Sequence, residues 1–336
     1  MNFAYLGHLP HADPLHGYLQ QEILPQLGVS PNNAEFRVFQ SACSRNVYLY
    51  EEKHSGRRLI GKFYPTHHGH LGQSLGTGRT EFNNLCFLRD MGFASGPHYV
   101  VKPLGFNAGL TGLLMMEFLD GAVLGTVIND AIFLGQRSRL FRKLTALAYF
   151  LATMHNRTSK DWPVTFSDPC NYMGRLITSL TTKRGMGEDH SNELYALREA
   201  WRSQGVMWED RAVLVHGDVT PSNFLFGQGL SVMAIDLERM QWADRVFDLG
   251  RLCGELKHVF FQGIGDPSAA EPFIGHFLWE YCCHLPNHRD AFAAITKRVP
   301  FYLGITLLRI ARNSWISTDY RWQLVQEAKQ SLRALP

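Results

Sequence analysis

The chain has 336 residues, 45% of them apolar and 19% charged, which suffices for a large core and is far from the composition of a disordered chain. Its length suits two domains better than one, and a net charge of +3 without a basic block argues against binding a nucleic-acid backbone. The six cysteines lie scattered without CxxC pairs and read as reduced thiols; with neither a signal peptide nor eighteen consecutive apolar residues, the expected location is the cytoplasm, with no membrane span.

Residues 14–27, PLHGYLQQEILPQL, pattern as a short helix broken near Pro25, and residues 1–34 are expected to form an N-terminal helical extension. Three strand-like runs follow, EFRVFQSA, NVYLYEEK and RRLIGKFY, the last two joined by the turn HSG in an antiparallel meander. The glycines of HHGHLGQSLGTGR predict a flexible linker decorated by His67, His68 and His70. After it, TEFNNLCFLRDMGF sets Phe82, Leu85, Cys86 and Leu88 at helical spacing behind Thr80 as N-cap. VVKPLGF and LTGLLMMEFL complete a five-stranded sheet with one helix over residues 35–119. From residue 120 to 336 the periodicity is helical, interrupted by short strands around VLVHGDVTPSNFLF and VMAID. The class is therefore α+β, a small antiparallel part followed by a larger helical one.

VLVHGDVTPSNFLF places polar residues on a loop pinned between two apolar runs, where chemistry is well supported. His216, Gly217, Asp218 and Asn223 spell HGDxxxxN, and VMAID ends at Asp236 shortly after. Asn223 and Asp236 are hard oxygen donors suited to a divalent cation against phosphate oxygens, which leaves Asp218 to face a substrate hydroxyl. In these residues the sequence resembles the aminoglycoside phosphotransferase and choline kinase family. Those small-molecule kinases share a two-lobed protein-kinase-like fold, a catalytic loop H-[GN]-D-x-x-x-x-N and a metal aspartate in a hydrophobic-I-D pattern. The resemblance runs from about Val38 to the C-terminal helices.

The resemblance implies phosphoryl transfer from ATP, with GTP not excluded, to an alcohol group of a small molecule, assisted by Mg2+. By it Asp218 is the catalytic base, His216 supports the loop, and Asn223 and Asp236 are the magnesium ligands. Lys62 in RRLIGKFY falls where the family's phosphate-binding lysine stands, and Glu81 where its ion-pair partner does. LLMMEFLDG resembles the adenine-holding hinge, with Met115 to Leu119 and so Glu117 as contributors. The phosphate-covering loop falls on QSACSRN, with Ser41, Ser44 and Asn46 in place of a GxGxxG motif. Asp248 in DRVFDLGRL is expected to brace the catalytic loop. IDLER departs from the family's ID[FW]E at Leu237, and Glu238 is open to a metal-site or a substrate role.

A protein-substrate kinase would carry a longer segment than DLERMQWADRVFDLG after the metal aspartate, and a nucleotide-binding regulator would lack the base or a metal ligand. Both readings are therefore secondary. Lys297, Arg298, Arg309, Arg312, Arg321, Lys329 and Arg333, set against Asp319 and Glu327, lean toward a neutral or anionic acceptor such as a sugar. His276, Cys282, Cys283, His284 and His288 have ligand chemistry, but adjacent cysteines and the break at Pro286 argue against zinc.

Overall fold

The computed structural model describes residues 3–30, 32–42, 44–64 and 71–336. Cys43, His67, His68 and His70 lie outside them. Along the chain the strands are β1 (Phe3–His8), β2 (Phe36–Ser41), β3 (Val47–Glu52), β4 (Arg58–Phe63), β5 (Ala94–Ser95), β6 (His98–Val100), β7 (Pro103–Asn107), β8 (Leu113–Glu117), β9 (Ala122–Val123), β10 (Val213–Val215), β11 (Phe224–Phe226), β12 (Val232–Ala234) and β13 (Gln241–Ala243). The helices are α1 (Pro14–Tyr18), α2 (Leu71–Leu88), α3 (Leu124–Phe133), α4 (Arg137–Thr158), α5 (Ser167–Arg184), α6 (Glu188–Arg202), α7 (Val246–Ile264), α8 (Glu271–Cys282), α9 (His288–Ala311) and α10 (Thr318–Leu332). Two compact units result, Met1–Val123 with Ser231–Arg239, and Leu124–Leu230 with Met240–Pro336. The segment that carries Asp236 thus belongs to the first unit, and so do residues 1–34.

The first unit is built on an antiparallel sheet in the order β1-β2-β3-β4-β8-β7, six strands where the sequence pattern gives five. The added strand is β1, which pairs with β2 from Phe3↔Ser41 to His8↔Arg37 with a register shift between Tyr5 and Gly7. Tyr5 and Leu6 are both more than half exposed, so this edge strand lacks the in-and-out alternation by which strands are recognised. Asp13 caps α1 by accepting from the Leu15 amide at 2.9 Å, and Pro14 occupies the first turn. A π-helical turn (Leu19–Ile23) and a 3-10 turn (Leu24–Leu27) continue it until Gly28 ends the run at φ +68°. Leu15, Leu19, Ile23 and Leu24 pack with Phe36, Leu59, Leu104 and Leu113 into one core, so the N-terminal segment is a layer of this unit and not an extension from it.

A second correction concerns α2, which starts at Leu71, well before Thr80; residues 71–79 of the glycine-rich run are helical and not a linker. Gly78 explains why glycine is tolerated, because a Cβ there would stand 2.7 Å from both the Phe106 and Tyr64 rings. The missing side chain lets the helix approach the sheet closely and turns Glu81 inward, where it is fully buried. Strand β12 joins the unit by pairing parallel to β6, Val232↔His98 through Ala234↔Val100.

In the second unit α7 packs against α9 through glycines. A Cβ on Gly254 would lie 2.6 Å from Thr306 Cβ and 3.1 Å from the Leu303 carbonyl oxygen, so only glycine admits this approach. Among the described residues α9 alone is long and apolar enough to cross a membrane, and 61% of its apolar window is buried within the protein, as expected of a core helix. Strands β10 and β13 pair antiparallel from Val213↔Ala243 to Val215↔Gln241. The run through residues 131–158, which reads as one helix, divides into α3 and α4 at Gly135, whose φ is +67°.

Candidate active site

In the second unit the buried strand β10 leads into the loop His216–Asn223, and buried β11 leads out of it. Gly217 makes the bend at φ +82°, a region that favours glycine. Asp248, in the first turn of α7, accepts the His216 amide at 2.7 Å on Oδ2 and the Gly217 amide at 3.0 Å on Oδ1. Its Oδ2 also shares a hydrogen bond with His155 Nε2 at 3.2 Å, and His155 Nδ1 meets the Tyr281 hydroxyl at 2.9 Å. Burial holds His155 below its ordinary value, opposed by Asp248. The Asp248 expectation thus has a concrete form, one buried carboxylate holding two main-chain amides.

The His216 ring is fully buried against Phe224, with centroids 5.0 Å apart. Asn223 donates through Nδ2 to the Asp218 carbonyl at 3.0 Å, while its Oδ1 accepts from Ser222 at 3.1 Å. Asp218 has an inner oxygen, Oδ1, that is buried and without a hydrogen-bond partner, while its side chain as a whole keeps 15% exposure. The other oxygen therefore faces out.

The first unit carries the second constellation. Lys62 on β4 extends its ammonium to Glu81 Oε2 at 2.8 Å, Asp236 Oδ1 at 2.6 Å and Glu238 Oε2 at 3.1 Å. Tyr64, two residues on and just past the end of β4, donates to Glu81 Oε2. Burial would lower Lys62, but Glu81, Asp236 and Glu238 together hold it well above the ordinary lysine value. Burial pushes the Glu81 carboxyl up, opposed by the Lys62 ammonium. Asp236 adopts φ +66°, and Asn84 Nδ2 on α2 donates to the next carbonyl, Leu237 O, at 2.8 Å, which ties the bend after β12 to the helix that bears Glu81. Among the described residues, Glu81, Asp236 and Glu238 are the one group whose donor atoms approach closely enough to hold a metal, all within 4.8 Å.

The remaining expected residues are more dispersed. Met115 is fully buried inside β8, opposite Gly61 of β4 and Gly105 of β7, so the sheet uses its backbone on both sides. Glu117 ends that strand and spends its carboxylate on the Tyr99 hydroxyl (2.5 Å) and the Lys102 amide (2.6 Å); Leu119 follows, partly exposed. Ser41 ends β2, Ser44 Oγ accepts from the Asn46 amide at 3.4 Å, and the Asn46 carbonyl accepts from Phe63 at 2.8 Å. The basic C-terminal segment is largely self-neutralised. Arg298 pairs with Asp210 (2.5 Å) and Asp244 (2.9 Å), Arg309 with Glu255, Lys329 and Arg333 with Glu193, and Arg321 donates to main-chain carbonyls. Those charges are structural and give no ground for an anionic acceptor. Tyr64, Arg251 and Glu255 escaped the sequence reading; only Tyr64 carried a usable signal, its period-two relation to Lys62.

Residues 35–284 match the model of the phosphotransferase enzyme family. The chain belongs to that family. Its fold is similar to that of an ethanolamine kinase of Plasmodium vivax, with 12% identity, a TM-score of 0.61 and coverage of 94% of this chain and 86% of that one. It is also similar to the ADP-bound aminoglycoside phosphotransferase APH(2'')-Ib, with 14% identity, a TM-score of 0.57 and 96% coverage of both chains. A choline kinase of Streptococcus pneumoniae gives 16% identity and a TM-score of 0.51 over 87% of this chain and 91% of that one. No curated protein sequence matches the chain. This phosphotransferase has the kinase-like fold that its ordered motifs imply.

Proposed function

We propose that the enzyme transfers the γ-phosphoryl group of ATP, bound with Mg2+, to a hydroxyl of a sugar, an amino alcohol or a related metabolite. The observation that carries this reading is the charge imbalance around Lys62, where one ammonium faces three carboxylates from α2 and from the segment after β12. Such a site is completed by further positive charge, and Oε1 of Glu81 is buried without a hydrogen-bond partner. Asp236 and Asn223 would hold the magnesium, which when bound supplies charge neutralisation to the phosphate oxygens. Lys62 neutralises the α- and β-phosphates, and Glu81 with Tyr64 keeps its ammonium in place. The adenine expectation narrows to the main chain after Glu117, since Met115 is committed to the sheet. Ser41, Ser44 and Asn46 cover the phosphates from the turn between β2 and β3.

Asp218 serves as base. Its outward oxygen accepts or orients the proton of the acceptor hydroxyl while its buried oxygen anchors the carboxylate, and the proton leaves as the new phosphate ester forms. His216 and Asn223 fix the loop around it. Structures of similar fold are described as bound to ADP, as a ternary complex of streptomycin and ATP, and as a complex with GDP, which supports a purine nucleotide without choosing the base.

The test is ADP release from MgATP across sugars, amino alcohols, aminoglycosides and nucleosides, with Asp218→Ala as the blank. A compound that raises ADP release only in the wild type names the acceptor class. Equal release by the wild type and Asp218→Ala with an acceptor that becomes phosphorylated would remove Asp218 from the mechanism.

A further inference from the structure

Helix α7 contributes more to the Asp218 loop than the Asp248 brace. Asp248, Arg251 and Glu255 recur at three- and four-residue intervals and so share one face of the helix. Arg251 is only 3% exposed, and its Nη1 stands 3.9 Å from Asp218 Oδ1. That separation is too long for a hydrogen bond, and both atoms are buried without a hydrogen-bond partner. Their contact is therefore a through-space attraction and not a hydrogen bond. A buried guanidinium is costly unless its charge is matched, and the sequence keeps one at this spot. Glu255 lies one turn along α7 and is ion-paired to Arg309 of α9. The Phe247 ring supports the guanidinium plane from 5.5 Å.

We propose that Arg251 is a positioning residue for Asp218, drawing the inner carboxylate oxygen toward α7 so that the outer oxygen is presented to the acceptor. One turn further along α7, burial pushes the Glu255 carboxyl up to about 7, opposed by the Arg251 guanidinium. The positioning role rests on the reading of Asp218 as the base. The role differs from that of Asp248, which sets the path of the main chain; Arg251 sets the rotation of one side chain.

The test compares Arg251→Gln and Arg251→Lys with the wild type, using MgATP hydrolysis to ADP with water as acceptor and, in parallel, any compound that turns over in the panel. Loss of the charge is expected to lower kcat roughly 30-fold with KM for MgATP within about twofold, and the lysine to restore kcat to within about threefold of the wild type. A merely structural arginine would give no such recovery and would move KM and thermal midpoint together with kcat. Equal kcat in folded Arg251→Gln and Arg251→Lys overturns the proposal, as does a folded Arg251→Gln with wild-type kcat. Should the glutamine variant fail to fold, Arg251→Met, which keeps the packing length, takes its place against the lysine. Asp218→Asn is measured beside them. Wild-type turnover there defeats the base assignment itself, whereas a silent Asp218→Asn with unaffected Arg251 variants defeats only the positioning role.

Discussion

The two constellations answer the problem of buried charge in opposite ways. Around Lys62 one cation meets three carboxylates, and the groups are side chains that remain partly solvent-exposed apart from Glu81. Around Asp218 one carboxylate stands near one buried guanidinium, that of Arg251, and the loop is fixed through main-chain hydrogen bonds to Asp248. The first arrangement carries excess negative charge, while the second is anchored by a buried carboxylate. On the proposed function, this keeps apart the demands of a site that takes up a charged cofactor and of a carboxylate that must hold one orientation.

The sharpest break in that comparison is Asp218→Ala, expected to lower turnover roughly 10³-fold while MgATP affinity stays within about threefold, measured by steady-state kinetics and calorimetry. Next is Lys62→Met, which leaves Glu81, Asp236 and Glu238 without their ammonium and should destabilise the protein by about 3 kcal/mol in chemical denaturation. Added Mg2+ should recover much of that loss, because a divalent cation replaces the missing charge; a melting temperature insensitive to Mg2+ would show that the cluster is no cation site. Gly254→Ala should cost about 2 kcal/mol, since its Cβ would meet Thr306 at 2.6 Å, and should lower turnover with stability through α7.

The smallest effect is a pH dependence. His258 is held down to about 4 by burial, against an ordinary value of 6.5, and its Nδ1 meets the Tyr320 hydroxyl at 2.9 Å. A depressed value means that the folded protein disfavours the charged ring. Its contribution is complete above pH 6.5 and is lost as pH falls from there through 4, by at most about 3 kcal/mol. His258→Gln should flatten that part of the stability curve in denaturation series between pH 7 and 4; an unchanged slope would place the titration elsewhere.

What the sequence made legible were residues whose chemistry is demanding and whose spacing is local. HGDxxxxN lies on one turn between two strands, and the lysine strand, the glutamate helix and the IDLE strand followed in an order that few other folds require. The structure brings Lys62, Glu81 and Asp236 together over 174 residues of separation. Other features depended on partners that no local pattern names. The C-terminal cations looked like a free basic surface because their carboxylates lie 54 to 140 residues away. Strand β1 escaped notice since an exposed edge carries no alternation, and the start of α2 escaped because glycine signals a loop unless a ring such as that of Tyr64 or Phe106 occupies the space its side chain would fill.

Asp248 spends both oxygens on backbone amides and none on the side chains between Asp218 and Asn223. The curve of the loop is therefore specified by main-chain atoms that every residue type possesses. Thr220 and Ser222, at the partly open crest, bond to each other and to Asn223 and make no hydrogen bond to Asp248. Substitutions within the loop therefore leave the Asp248 anchor intact so long as the His216 and Gly217 amides keep their places.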